Sequence, residues 1–247
     1  MKSRTSWKDI RKTIIFVTPI VLISIASGHF VSWALGNYRK SKSIETEIEK
    51  LHTAPLIGVV LRDNPSAVRA LKEAVTKDVD SKTIDKSRSK AAELARTLAW
   101  PSISAAQDEK ITAIWKMQHS LLAHLEKVDL KLCREFFESG IRDVNALDPS
   151  SKDLFNSVLE KLEVAYLDGK GKPAKATTLS QQDWAELFSA LGFTEAEMKV
   201  LADTNRSDDR EVCHVGLKLY DGMLTKVTVE LQPRIMRAIF ALISSSR

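Results

Sequence analysis

The chain has 247 residues, a formal net charge of +5, 44% hydrophobic and 28% charged residues, which excludes both a wholly disordered chain and a wholly membrane-embedded protein. Nine Gly, seven Pro and 6% aromatics are too few for a turn-dense β protein, so the expected fold class is all-α: one N-terminal transmembrane helix followed by a multi-helix bundle. Two Cys exclude a disulfide-dense scaffold and a four-cysteine zinc site.

The basic excess sits at the start of the chain. Residues 1–13 hold Lys2, Arg4, Lys8, Arg11 and Lys12 against Asp9, and residues 14–38 hold no charged side chain. The remainder is nearly neutral, and its lysines alternate with acids: Lys72, Lys77 and Lys82 lie among Glu73, Asp78 and Asp80. A nucleic-acid surface needs clustered cations, so no nucleic-acid partner is expected.

Ile14 to Leu35 is an uncharged, mainly apolar stretch. As a helix it would extend about 33 Å, against a hydrocarbon core of about 30 Å. Trp7, Trp33 and Tyr38 fit the two headgroup levels. The upstream cations outnumber Arg39, Lys40 and Lys42 downstream, which places the tail inside. The expected organisation is a basic cytoplasmic tail (1–13), a single-pass span in the lipid bilayer (14–35), a juxtamembrane linker with a helix stub (36–54) and an exported α-helical domain (55–247). A bacterial inner membrane, with the domain periplasmic or extracellular, is the expected location. A cleaved signal peptide is the rival, with small residues at Ser24-x-Ala26 and Ala34-x-Gly36; the apolar stretch exceeds the roughly 7–15 residues of a signal h-region, which favours an uncleaved anchor. His29, near the far end of the span, can reach the interface and needs no function.

Pro55 ends the helix stub Ser43 to Leu51. Asn64-Pro65 reads as an N-cap followed by Pro at the first helical position, with Val68, Leu71 and Val75 behind it. A helix over about Ile84 to Ala99 stops at Trp100-Pro101. The longest runs from about Ala106 to Val128, with Ile111, Ile114, Trp115, Leu121, Leu122, Leu125 and Val128 on one face. Leu130, Cys133, Phe136 and Phe137 carry the stripe on until Gly140. Asp148-Pro149 opens the next helix, which puts Leu154, Val158, Leu162 and Ala165 inward and ends at Asp168-Gly169. Gly169 to Thr178 reads as a solvated loop and lacks the phosphate-cradle spacing. Ser180 begins another helix, and Thr194 with Glu197 forms a capping box for the one after. Two apolar-faced helices, about Asp209 to Leu231 and Pro233 to Ile243, close the chain.

Chemistry-bearing patterns are sparse. His119 and His124 are five apart, about 140° around a helix, so they face differently and do not form the zinc-protease pair. Asp203, Asn205, Ser207, Asp209 and Glu211 mimic the first positions of a calcium loop, but Asp208 stands where Gly should turn and His214 where a bidentate Glu should close the shell. No nucleophile elbow or dinucleotide fingerprint occurs. No catalytic, metal or cofactor residue is assigned. Cys133 and Cys213 lie on apolar faces of the exported part with no third thiol to compete, so a disulfide is expected; two buried free thiols are the alternative. The function expected is a non-enzymatic, membrane-anchored protein-binding or structural module of the cell envelope. Its partner is another protein, docking in helix grooves or on the loop Gly169 to Thr178. The alternative is a wall- or glycan-cleaving hydrolase whose carboxylate pair assembles only in space.

Overall fold

The computed structural model describes residues 55–66, 68–69, 97–141, 144–173, 175 and 179–245. The tail, the span Ile14 to Leu35 and the linker lie outside the described residues, as do residues 84–96 of the helix expected before Pro101. None of the described helices is long and apolar enough to cross a membrane.

The described residues form an all-helical bundle around one continuous apolar core. Besides helical residues at 65–66 and 68–69 and the 3-10 turns Val144–Ala146 and Thr204–Arg206, the helices in chain order are α1 (Ile57–Asp63), α2 (97–105), α3 (Asp108–Val128), α4 (Leu130–Ser139), α5 (Pro149–Gly169), α6 (Gln181–Leu191), α7 (Glu195–Ala202), α8 (Asp209–Thr225) and α9 (Leu231–Ser245). α3 is the hub and packs against α5, α8, α4 and α9, while α8 also receives α4, α6 and α7. The apolar stripe explains this position: Ile111, Ile114, Trp115, Leu121, Leu122 and Leu125 are all buried, each worth about 1.5–3 kcal/mol on leaving water. Val128 is instead 52% exposed, because it ends α3 where the backbone turns extended at Asp129.

The helix ends follow local chemistry. The Asp148 side chain accepts the N–H groups of Ser150 and Ser151, and Pro149 takes the first helical position of α5. Ser180, Thr194 and Asp208 each form a capping box, with Asp183, Glu197 and Glu211.

Four expectations need correction. Sequence spacing does not predict α1; its run from Leu56 to Leu61 is buried throughout, and a helix apolar on every side shows no 3.6-residue stripe. Asn64, expected only to open a helix, also closes α1 by donating Nδ2 to the Val60 carbonyl. The helix expected to stop at Trp100-Pro101 continues to 105. Pro removes one donor, at about 3 kcal/mol in a helix interior, and burial of Trp100 and Ile103 offsets it. Finally, α8 ends at Thr225 rather than Leu231, and α9 begins at Leu231. Gln232 Nε2 ties off α8 by donating to the carbonyls of Leu224 and Val227 at 3.2 and 3.0 Å. Pro233 is tolerated inside the first turn of α9, where N–H groups have no intrahelical acceptor.

Entry into α1 is strained. The Ile57 amide donates to the Pro55 carbonyl at 2.6 Å across Leu56, whose φ is 58° and ψ −58°. This is the rarer, positive-φ γ-turn, which disfavours a branched-chain residue by about 1–3 kcal/mol. The Leu56 side chain is buried and its amide donates to Glu163 Oε2 at 2.7 Å, so α5 holds the turn in place.

Candidate functional site

The richest polar assembly lies where α1, the α2–α3 turn, the end of α5 and α9 converge. Asp63, at the end of α1, accepts the Tyr166 hydroxyl at 3.0 Å and pairs with Lys170 at 2.6 Å. Asp168 accepts the Gln107 amide at 2.7 Å and pairs with Lys172 at 3.1 Å. Asp108 pairs with Arg237 and, at 3.8 Å, with Lys175. The loop after Gly169, expected to be merely solvated, has its lysines 170, 172 and 175 each matched to a carboxylate from a different element.

Arg237 is the keystone of this junction. It is 3% exposed, and its fork donates to the carbonyls of Ser104 (2.9 Å), at the end of α2, and Ala106 (2.6 Å), just beyond it. Arg237→Met should cost about 2–5 kcal/mol by leaving those buried acceptors unpaired, and Arg237→Lys should recover little because an ammonium lacks the planar fork. Urea denaturation of the variants checks both.

The charges of this assembly do not suit acid catalysis. Lys170 chiefly, with the Tyr166 hydroxyl, holds the Asp63 carboxyl below its ordinary range against the opposing effect of burial. The Gln107 amide does the same for Asp168. Burial, then Asp63, pushes the Tyr166 phenol up to about 12. Carboxylates at the other ends are also held ionised: Asp148 mainly by the Ser151 hydroxyl, Asp183 by the Ser180 amide, and Glu197 by Lys218, which brings it down to about 2.

A second assembly joins α4 to α8. Cys133 and Cys213 are bonded, with both residues fully buried and their Cα atoms 5.6 Å apart. Beside them Arg134 fills the loop whose sequence mimics a calcium site. Its guanidinium donates to the Thr204 and Ser207 carbonyls at 3.0 and 3.1 Å and to Asp209 at 3.1 Å, and reaches back to Glu138 at 3.0 Å. Burial works to lower the pKa of Arg134, but Asp209 and Glu138 outweigh it and raise the value. Of the acidic string, Asp209 and two backbone carbonyls thus serve a side-chain cation, while Asp203 pairs with Arg206 and Glu211 caps α8; a single sequence does not announce this because Arg134 lies far from the string along the chain.

The remaining candidates do not assemble into a reaction centre. His119 and His124 are half-buried and on different faces. His124 Nε2 lies 3.7 Å from Asp148 Oδ2, beyond hydrogen-bond reach, and is buried without a hydrogen-bond partner. Ser151 donates to that same carboxylate. A nucleophilic triad needs serine bonded to imidazole, whereas here the Ser151 hydroxyl donates to the Asp148 carboxylate instead and Ser151 is fully buried. In the core, Tyr220 stacks on Trp115 at 4.4 Å and donates to Gln118 Oε1 at 3.3 Å. Among the described residues no three of His, Cys, Asp and Glu could hold a metal ion.

The chain matches none of the protein-family models, curated proteins or solved structures with which it was compared.

Stability should follow the downward-shifted carboxyls. A group with a depressed native pKa stabilises the fold above its unfolded value, about 4, and loses that contribution as pH falls toward the native value. The urea midpoint should therefore fall from about pH 5 down to about pH 2. Lys218→Met should flatten the lower end, since Lys218 bonds both oxygens of Glu197 at 2.8 and 2.7 Å.

Proposed function

We propose that the chain is a membrane-anchored, non-enzymatic module of the cell envelope that presents a rigid helical bundle to a protein partner. In this reading residues 14–35 hold it in an inner membrane, the tail lies in the cytoplasm and the bundle faces the periplasm or the exterior. The observation that carries the reading is the Cys133–Cys213 bond. Disulfides persist in oxidising compartments and are rare where glutathione keeps thiols reduced. A basic tail followed by an uncharged apolar stretch supplies a route to such a compartment.

The hydrolase alternative is weaker on electrostatic grounds. Glycoside cleavage needs one carboxyl kept protonated by a raised pKa. The described carboxyls with displaced values, Asp63, Asp148, Asp168, Asp183 and Glu197, are all displaced downward. Each accepts hydrogen bonds from the fold itself, which makes it part of the scaffold.

Purification of the full chain from detergent-solubilised membranes after mild cross-linking tests the reading. A stoichiometric protein partner is expected. Glycan turnover by the purified chain, lost on changing one carboxylate, would overturn it.

A further inference from the structure

We propose that Asn205 is an acceptor for an N-linked oligosaccharide, attached during export. The inference rests on the export proposed above. Asn205-Arg206-Ser207 has the acceptor form Asn-x-Ser, in which x is not Pro. The chain's near match, Asn64-Pro65-Ser66, is blocked by its Pro. Asp203 stands two places ahead of the acceptor, so the segment also has the longer acidic form Asp-x-Asn-x-Ser.

The structure presents this acceptor outward. Thr204–Arg206 is a single 3-10 turn between α7 and α8, and Asn205 is exposed. The Asn205 side chain makes no hydrogen bond among the described residues, so its carboxamide is not committed to the fold. Every strong contact of the turn instead uses its neighbours. Arg134 takes the carbonyls of Thr204 and Ser207, the Ser207 amide donates to Thr204, and Arg206 pairs with Asp203 at 2.9 Å. A glycan at Asn205 would therefore extend into solvent without displacing any core side chain.

The same pinning sets the order of events. A transferase must draw the acceptor segment into its own groove and read the Ser207 hydroxyl. The Arg134 fork holds the backbone on both sides of Asn205, and the adjacent Cys133 is bonded to Cys213 in the following helix. Attachment thus precedes closure of that clamp, while the chain is still emerging. The donor is an oligosaccharide carried on a polyprenyl diphosphate. The Asn205 carboxamide nitrogen attacks the anomeric carbon, a C–N bond replaces the C–O bond to the diphosphate, the amide proton passes to a base of the transferase, and the lipid diphosphate leaves.

The test is peptide mass spectrometry of the full chain purified from its own membranes, with the Cys133–Cys213 bond and protease access in intact cells scored on the same cultures. A peptide spanning Asp203 to Arg210 should carry one added oligosaccharide. It should be lost in Asn205→Gln and in Ser207→Ala and retained in Ser207→Thr. These changes leave the clamp intact, because Arg134 bonds the Ser207 carbonyl and not its side chain. An unmodified Asn205 in an oxidised chain open to external protease would overturn the glycan and leave export standing. An unmodified Asn205 in a reduced chain cleaved only after lysis would overturn both. Modification that survives Ser207→Ala would also contradict the proposal.

Discussion

Gly169→Ala should destabilise the bundle by more than about 4 kcal/mol, a large part of the 5–15 kcal/mol that holds a domain together. A Cβ built at position 169 lies 1.8 Å from the Ser102 carbonyl oxygen and 2.9 Å from the Ala106 nitrogen. These are backbone atoms, and no rotamer change can move them away. The end of α5 would have to leave α2, opening the polar junction and the two carbonyls that Arg237 holds. Gly171→Ala is the matched control: it also sits at the α5 end, with φ +76° but nothing within 4 Å of its Cβ position, so only the left-handed backbone penalty of about 1–2 kcal/mol applies. Urea denaturation of the two variants should separate them clearly. Equal midpoints would mean that α2 and α5 do not approach as described.

Loss of the Cys133–Cys213 bond should cost about 4–5 kcal/mol by the chain-entropy relation for the loop it closes; the residues are 80 apart in sequence. The double variant Cys133→Ala, Cys213→Ala should therefore unfold at a markedly lower urea concentration. Both half-cystines are 0% exposed, so a thiol reductant can reach them only through opening of α4 from α8. In native buffer the bond should resist reduction, and reduction should accelerate sharply near the urea midpoint. Rapid reduction without denaturant would show that the α4–α8 interface opens freely.

Much of the bundle was legible because long amphipathic helices report their buried face through spacing. The α3 stripe, the Asp148-Pro149 start of α5 and the Thr194 capping box are all local signals, and the structure places them as expected apart from Val128, which is exposed at the end of α3. The disulfide was readable by elimination, with two cysteines on apolar faces. What escaped was long-range. Pro101 inside α2 is outweighed by side chains that find their neighbours only in the folded state. The partners of Arg134 and Arg237 lie at separations of 70 or more residues, apart from Glu138 one helical turn away, so no window of sequence contains them. The acidic string from Asp203 shows the consequence: its composition resembles a cation site, yet Asp203 pairs with Arg206 and Asp209 with the side chain of Arg134.

The proposed anchor and the proposed envelope partner both require the bundle to lie outside the cytoplasm. Ser150 is exposed at the start of α5, whereas the disulfide is buried, and Ser150→Cys adds an accessible reporter thiol there. Intact cells made permeable only at the outer envelope are treated with a membrane-impermeant maleimide, and the labelled fraction is compared with that after lysis. Export predicts full labelling of the Ser150→Cys variant before lysis; labelling that appears only after lysis would place the bundle in the cytoplasm and contradict the account.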